Sequence, residues 1–312
     1  MKIVAVEPIN LHKEKVEAIQ SRFKSLGHDF VCYADRKEDA HSLMERMKDA
    51  DIVIVSNIVL SAEVLLQCPR LKMLSVAFTG LDHIDLDYCH RHHIHVANAA
   101  GYATIAVCEL TIGLMLDVYR HITLLDAQIR QQGTRSYFLG RQLYGKTAGI
   151  IGTGAIGTQV ALTLQQLGCN VIAWSKSKNN NILSNNIPYV SLEHLLTSSD
   201  IVSLHLPLTP ETFHLIDRKK LSLLKKDAIL INTARGNIVD IGALSEALIN
   251  KRLAGAGIDV FEKEPPLSED HPLLRAPNCV LLPHTGYATE EAFEARIEIV
   301  IDNIFHWLEK ND

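Results

Sequence analysis

The chain has 312 residues, of which 47% are hydrophobic and 21% charged, and a formal net charge of -5. That length suits two domains with separate cores, and the balance of apolar and charged residues excludes disorder, collagen-like repeats and coiled coil. Lysines and arginines are interspersed with acids instead of forming runs, so the footprint of a nucleic-acid-binding protein is missing.

The opening MKIVAVEP passes from one lysine straight into an apolar strand, unlike the basic, apolar and small-residue succession of a signal peptide. Val16, Ile19, Phe23 and Leu26 then recur at helical spacing before Gly27, which predicts an amphipathic helix with one buried face and a glycine stop. HDFVCYA, DIVIVSN, LKMLSVAF and IHVANAA read as further strands separated by helical stretches. This alternation predicts a parallel sheet with crossover helices, so residues 1–100 make one open α/β domain. His83, His90, His92, His93 and His95 cluster here, but His92 and His93 are neighbours on a predicted helix, facing different directions, and no cysteine pair accompanies them. Their spacing argues against a metal site.

Thr104 to Leu125 is the most apolar long stretch, interrupted by Glu109 and Asp117. A charge at mid-span is expensive in lipid, so the stretch is expected to be a buried helix and not a membrane span. The 6 cysteines are spread singly with no C-x-x-C pair, which fits free thiols in a reducing cytoplasm. After the polar segment QQGTRSYFLGRQLYGK a second series of strands begins: TAGIIG, NVIAWS, IVSLHLP, AILINTA, GAGIDVF and CVLLPH. Residues 101–290 are therefore read as a second α/β domain, with a cleft between the two. The helical stretch from about Glu290 to Leu308, within residues 291–312, is expected to return to the first domain. KSKNNNILSNN reads as a surface loop.

Gly152, Thr153, Gly154, Ala155, Ile156 and Gly157 follow the apolar strand Ala148 to Ile151 and open a helix in which Ile156, Val160, Leu164 and Leu167 share a face. A lone G-x-G-x-x-G can be a turn with no ligand. Between a strand and a helix it lets the first glycine turn tightly, the second admit a pyrophosphate and the third pack helix on sheet, which predicts a dinucleotide site. The next strand ends in Trp174, Ser175, Lys176, Ser177 and Lys178, where an NAD-selective site carries an acid for the adenosine ribose hydroxyls. Ser175 removes the repulsion that a carboxylate imposes on a 2′-phosphate, and Lys176 and Lys178 offer it point charges, so NADP(H) is favoured over NAD(H). The plain alternative is that both lysines are solvated loop residues.

Three later segments each follow a predicted strand end: Asn232 to Gly236 with Arg235, Asp259 to Pro266 with Glu264, and Leu282 to Gly286 with His284. Ligands of open α/β sheets bind at that edge, so Arg235, Glu264 and His284 are predicted to converge. The guanidinium of Arg235 suits a substrate carboxylate, and the imidazole of His284 suits proton transfer at a carbonyl oxygen. A hydrogen bond from the other ring nitrogen to Glu264 would orient the ring and favour its charged form. Taken singly, each such residue is more often a surface or structural group. Ser203 and His205 alternate on a strand without the strained elbow of a hydrolase nucleophile. Phe78, Tyr102 and Tyr287 are candidates for shaping a small or medium pocket.

TGLDHIDLD, the NAAGY and AVCEL segment, GKTAGIIGTGAIG, HLPLTPET, LINTARGNIVD, GIDVFEKEPP and LLPHTGYAT together resemble the D-isomer-specific 2-hydroxyacid dehydrogenase family, over essentially the whole chain. The resemblance implies two Rossmann- or flavodoxin-like open parallel-sheet domains: residues 1–100 with 291–312 for substrate and 101–290 for the dinucleotide. It implies an NAD(P)-dependent oxidoreductase that reduces a small 2-keto acid to the D-2-hydroxy acid, with Arg235 on the carboxylate, His284 as acid and base, and Glu264 as its partner. Backbone N–H groups around Thr79 and Gly80 would cap the carboxylate, with Phe78 beside them in the substrate site, and Thr104 would flank the nicotinamide. Gly154, Ala155, Ile156, Ser175, Pro207, Thr233, Ala234 and Asp259 match cofactor-contacting positions, with Ser175 standing where many relatives carry aspartate. Formate dehydrogenases of the superfamily have glutamine in place of Glu264, and HTGYAT is similar to glyoxylate/hydroxypyruvate reductases, which points to small keto acids. Family likeness also implies a homodimer formed through the long helix after Thr104. Two alternatives stay open: a nucleotide-sensing, corepressor-like binding protein, and a phosphite- or formate-type dehydrogenase.

Overall fold

A computed structural model describes residues 1–9, 13–135 and 137–311 of the chain. They form two compact units, Met1–Ala103 with Ala288–Asp312, and Thr104–Tyr287. In the first, β1 (Lys2–Ala5), α1 (Lys13–Ser25), β2 (Asp29–Cys32), α2 (Ala40–Met47), β3 (Ile52–Val55), α3 (Ala62–Leu66), β4 (Met73–Val76), α4 (Leu86–Arg91) and β5 (His95–Asn98) succeed one another. The strands make one parallel sheet in the order β2-β1-β3-β4-β5. Every residue of β3 and β4 is buried. Their sequences run apolar without alternation because a parallel sheet is covered on both faces.

Polar residues start the helices between these strands. Asp39 and Asp85 accept the backbone N–H of Ser42 and Tyr88 at the heads of α2 and α4. Gly27, at φ +76°, follows α1. Leu26 does not join the buried face expected of it: α1 ends at Ser25, the chain has turned by Leu26, and that side chain is 56% exposed. Phe23 anchors the helix instead, stacked on Phe30 and Phe305 at centroid distances of 5.6 and 4.9 Å. His92 and His93 lie beyond α4 and not on it, His93 reversing the chain at φ +57° ahead of β5.

The second unit begins with α5 (Thr104–Arg120) and α6 (Ile122–Arg130). The single buried helix expected over Thr104 to Leu125 is thus two. His121 breaks it at φ +54°, and Asp117 accepts the backbone N–H of Thr123 at 2.9 Å to start the second piece. α5 is buried along Val107, Thr111, Leu114, Met115 and Val118, whereas no residue of α6 is buried. Among the described residues no helix is long and apolar enough to cross a membrane.

There follow β6 (Thr147–Ile151), α7 (Ala155–Gln166), β7 (Asn170–Trp174), α8 (Asn180–Ser184), α9 (Leu192–Ser198), β8 (Ile201–Leu204), α10 (Arg218–Leu221), β9 (Ile229–Asn232), α11 (Ile241–Ile249), β10 (Gly255–Ile258) and β11 (Cys279–Leu281). These strands form a parallel sheet in the order β11-β10-β9-β8-β6-β7. The NNNIL tract, expected as a surface loop, is α8: Asn179 caps it and Ile182 is fully buried. Leu167, expected on the buried face of α7, lies just past the helix as its C-cap and is exposed, while Val160, Ala161 and Leu164 fill the core. The final helix, α12 (Glu290–Asn311), belongs to the first unit, where Ser75 in β4 donates to the Val300 carbonyl at 3.0 Å.

Candidate active site

The site of the second unit grows from its strand order. β6 pairs with β7 on one side and β8 on the other, so the chain leaves the sheet in opposite directions there, and ligands of doubly wound folds bind at such a switch. Directly after β6, Gly152 adopts φ +96° and donates to the carbonyl of Trp174 at 2.8 Å. A Cβ on Gly152 would collide with the carbonyl of His205. Only glycine satisfies both the left-handed turn and this approach. Gly154 then caps α7, whose unpaired first N–H groups favour a phosphate by direction and by dipole. Gly154 and Ala155 are exposed, Ile156 is half-buried and Gly157 buried, so the loop fits a dinucleotide pyrophosphate.

Around this loop stand the other proposed cofactor contacts. Ser175 is half-buried at the end of β7, with Lys176 and Lys178 exposed beyond it. The Lys178 ammonium lies 5.9 Å from the ring centroid of Tyr189. Pro207 is exposed after β8, its carbonyl accepting the Thr212 hydroxyl at 2.7 Å. Ser203 in β8 and His205 just after it share a hydrogen bond of 2.8 Å. Burial pushes the imidazole of His205 down to about 3, so this pair is a neutral brace beneath the glycine loop and no base at neutral pH.

Register brings the chemical groups side by side. Asn232, Ile258 and Leu281 are lateral neighbours across β9, β10 and β11. Arg235, Asp259 and His284 follow them by three, one and three residues, all at one edge of the sheet. Buried Asn232 braces the first turn, accepting from Ala234 N at 3.1 Å and donating to the Arg235 carbonyl at 2.9 Å. Thr233 spends its hydroxyl on Thr111 of α5 at 2.9 Å. Gly236 lets the next loop come close, since a Cβ there would collide with the backbone of Phe261 and Glu262. The turn that carries Arg235 and the loop that carries Glu264 therefore touch.

The expected pair is formed: Glu264 Oε1 lies 3.0 Å from His284 Nδ1. His284 itself sits at φ +56°, a conformation that costs a non-glycine residue about 1 kcal/mol or more. Asp259 holds it there, one carboxylate oxygen accepting the N–H of Thr285 and the other that of Gly286, each at 2.8 Å. Burial pushes the Asp259 carboxyl up from its ordinary range, against these hydrogen bonds and the neighbouring His284. Sequence reasoning placed Asp259 only among cofactor contacts and missed this clamp. Tyr287 stacks edge-on to His284, with centroids 5.5 Å apart.

The substrate candidates of the first unit lie just beyond β4. Phe78 is buried, Thr79 is exposed and its carbonyl accepts from the Asn98 side chain at 2.7 Å, and Gly80 is half-buried. Thr104 opens α5. Among the described residues no group of three or more His, Cys, Asp or Glu side chains could hold a metal ion.

A glycine turn between strand and helix, followed on the same sheet by an arginine and a histidine–glutamate pair, defines an oxidoreductase with a nicotinamide-binding Rossmann domain. The model described as "D-isomer specific 2-hydroxyacid dehydrogenase, NAD binding domain" matches residues 112–286. The chain belongs to that family. It is 39% identical to the glyoxylate reductase of Thermococcus litoralis over 84% of this chain and 82% of that protein. It is 37% identical to the D-3-phosphoglycerate dehydrogenase of Methanocaldococcus jannaschii over 97% of this chain, but spans only 57% of that longer protein. Among solved structures it is similar to an acyclic imino acid reductase in complex with NADPH and D-arginine, with TM-score 0.89 and 31% identity, covering 99% of this chain and 98% of that one.

Proposed function

We propose that the protein reduces a small 2-keto acid of the glyoxylate or hydroxypyruvate kind to the D-2-hydroxy acid, with NADPH favoured over NADH. The hydrogen bond between Glu264 and His284, at the sheet edge shared with Arg235, carries this reading. Arg235 takes the substrate carboxylate, which fixes the neighbouring carbonyl. With Nδ1 bonded to Glu264, the Nε2 side of His284 serves the carbonyl oxygen. When bound, the dihydronicotinamide supplies a hydride to the carbonyl carbon. His284 gives its proton to the oxygen as the C=O bond becomes C–OH, and Glu264 stabilises the imidazolium before that transfer. In the reverse direction His284 takes the proton back.

The coenzyme preference rests on Ser175, Lys176 and Lys178, and an NADPH complex among the solved relatives supports it. Glyoxylate as substrate is supported by the Thermococcus litoralis relative. We also assign a homodimer to the outer faces of α5 and α6. Ile122, Leu124 and Ile129 are exposed on α6, and a surface this apolar suits a second copy. Burial pushes the thiols of Cys68 and Cys89 up to about 11, as suits unreactive cysteines of a cytoplasmic enzyme.

A panel of glyoxylate, hydroxypyruvate, pyruvate and bulkier 2-keto acids, each with NADPH and NADH, tests the reading through loss of nicotinamide absorbance. Turnover of the small acids with a higher kcat/KM for NADPH is expected. Tight coenzyme binding with no turnover would favour a sensor, and oxidation of phosphite or formate a different dehydrogenase.

A further inference from the structure

The loop that carries the coenzyme-selecting residues is closed at both ends onto the phosphate loop. At its start, the carbonyl of Trp174 accepts the N–H of Gly152. At its finish, the Asn179 side-chain amide donates to the Thr153 carbonyl at 3.0 Å and to the Thr158 hydroxyl at 3.1 Å. The backbone N–H of Asn179 donates to the Tyr189 hydroxyl at 2.8 Å, and that hydroxyl shares a second hydrogen bond, also 2.8 Å, with Thr153 Oγ1. Thr153 and Thr158 are buried, so the ties end on rigid ground. Tyr189 is itself fixed to β7: Ala173 accepts from Val190 N and donates to the Pro188 carbonyl, each at 2.9 Å.

One nucleotide must span both loops, with its pyrophosphate on the glycines and its adenosine ribose on the residues after β7. A fixed distance between the loops therefore matters most to a ligand held at both places by charge. NADPH is such a ligand, and NADH lacks the second charge. Lys178 leans over the Tyr189 ring. The Glu211 carboxyl is held below its usual range first by the Thr209 hydroxyl and its own backbone N–H, and then by the charge of Lys176, whose field is thus shared with a carboxylate. Lys178 is thus the cation that the network places.

We propose that Tyr189, with Asn179, is a positioning residue for coenzyme selectivity: it ties the Ser175 to Lys178 loop to the glycine loop so that Lys178 meets a 2′-phosphate at a preset place. This rests on the preference for NADPH proposed above. Steady-state kinetics of the full chain, with NADPH and NADH against one keto acid, test it in wild type, Lys176→Ala, Lys178→Ala and Tyr189→Phe. The ratio of kcat/KM for the two coenzymes is the readout, because the amount of active enzyme cancels from it even where a variant folds less well.

Lys178→Ala should lower the NADPH/NADH ratio about tenfold, the worth of one charge-assisted contact. Tyr189→Phe should lower it about fivefold through KM for NADPH and not through kcat, as expected for one lost hydroxyl network. If neither lysine variant moves the ratio, the coenzyme reading falls and this inference with it. If Lys178→Ala lowers the ratio while Tyr189→Phe leaves it at the wild-type value, or raises both KM values equally, the lysine reading stands and the positioning role is overturned.

Discussion

β1 in the first domain and β6 in the second hold the same place in their sheets, between β2 and β3 in one and between β7 and β8 in the other. Both are braced alike where they begin. Asp51, ahead of β3, accepts the N–H of Lys2 at 2.7 Å and pairs with Arg70 at 3.0 Å. Asp200, ahead of β8, accepts the N–H of Thr147 at 2.8 Å and pairs with Lys225 at 2.9 Å. Where the strands end, the domains part. β6 runs into the glycine turn of residues 152–157, the place we propose for the pyrophosphate. β1 runs into Glu7, which is 3% exposed and turns its own carboxylate inward, accepting the N–H of Ser56 at 2.7 Å and pairing with Arg36. One strand plan thus serves a nucleotide in one domain, while in the other an internal anion satisfies the backbone at the switch point. Strand order supplies the location, and the residues of the first turn decide whether it binds.

The largest effect that sharpens this contrast is at His284. His284→Ala should lower kcat by about a thousandfold, within the range of general acid–base catalysis, while a fluorescence titration still shows NADPH bound. Turnover near that of wild type would remove the proton-transfer role. Next comes Gly152→Ala, which places a Cβ against the His205 carbonyl at a left-handed φ. Strain and overpacking of about 2 to 4 kcal/mol should appear as a lower melting temperature, with coenzyme affinity reduced tenfold or more. Normal NADPH binding in that variant would break the assignment of the glycine turn to the pyrophosphate. Glu7→Gln should cost stability without touching the coenzyme. It keeps an oxygen for Ser56 N but loses the ion pair to a partly exposed Arg36, so stability should fall by about 1 kcal/mol with the KM for NADPH unchanged.

The parts legible in sequence are those fixed by local pattern. Strands buried on both faces show as apolar runs, and the glycine turn shows because it stands between such a run and a helix. Arg235 and His284 could be picked out because each follows a strand end, and the parallel register then sets them on one edge. The break at His121 was not legible, since no glycine or proline marks it and the cap comes from Asp117, six residues before Thr123. α8 was hidden because it depends on Ile182 reaching the core and on Asn179. The clamp of Asp259 on Thr285 joins residues 26 apart that meet only when β10 and β11 pair.

The smallest expected effect bears on the half of the comparison where the domains agree. Burial alone would raise the carboxyls of Asp51 and Asp200, but the amide of Lys2 and Arg70 in one, and the amide of Thr147 and Lys225 in the other, outweigh it and hold both below the ordinary value of 3.8. A carboxyl lowered on folding contributes stability that is complete above its unfolded value and is lost as pH falls through the folded one. Asp51→Asn and Asp200→Asn should each cost about 1 kcal/mol near pH 7, with the gap to wild type closing below about pH 4. Urea unfolding at pH 7, 5 and 3 reads this directly. Asp51 is the more buried of the two, so its variant should be the more costly. A gap that persists at pH 3 in both variants would mean that the two braces act through packing and not through charge. A gap that closes for one alone would show that the shared strand plan is held by different forces in the two domains.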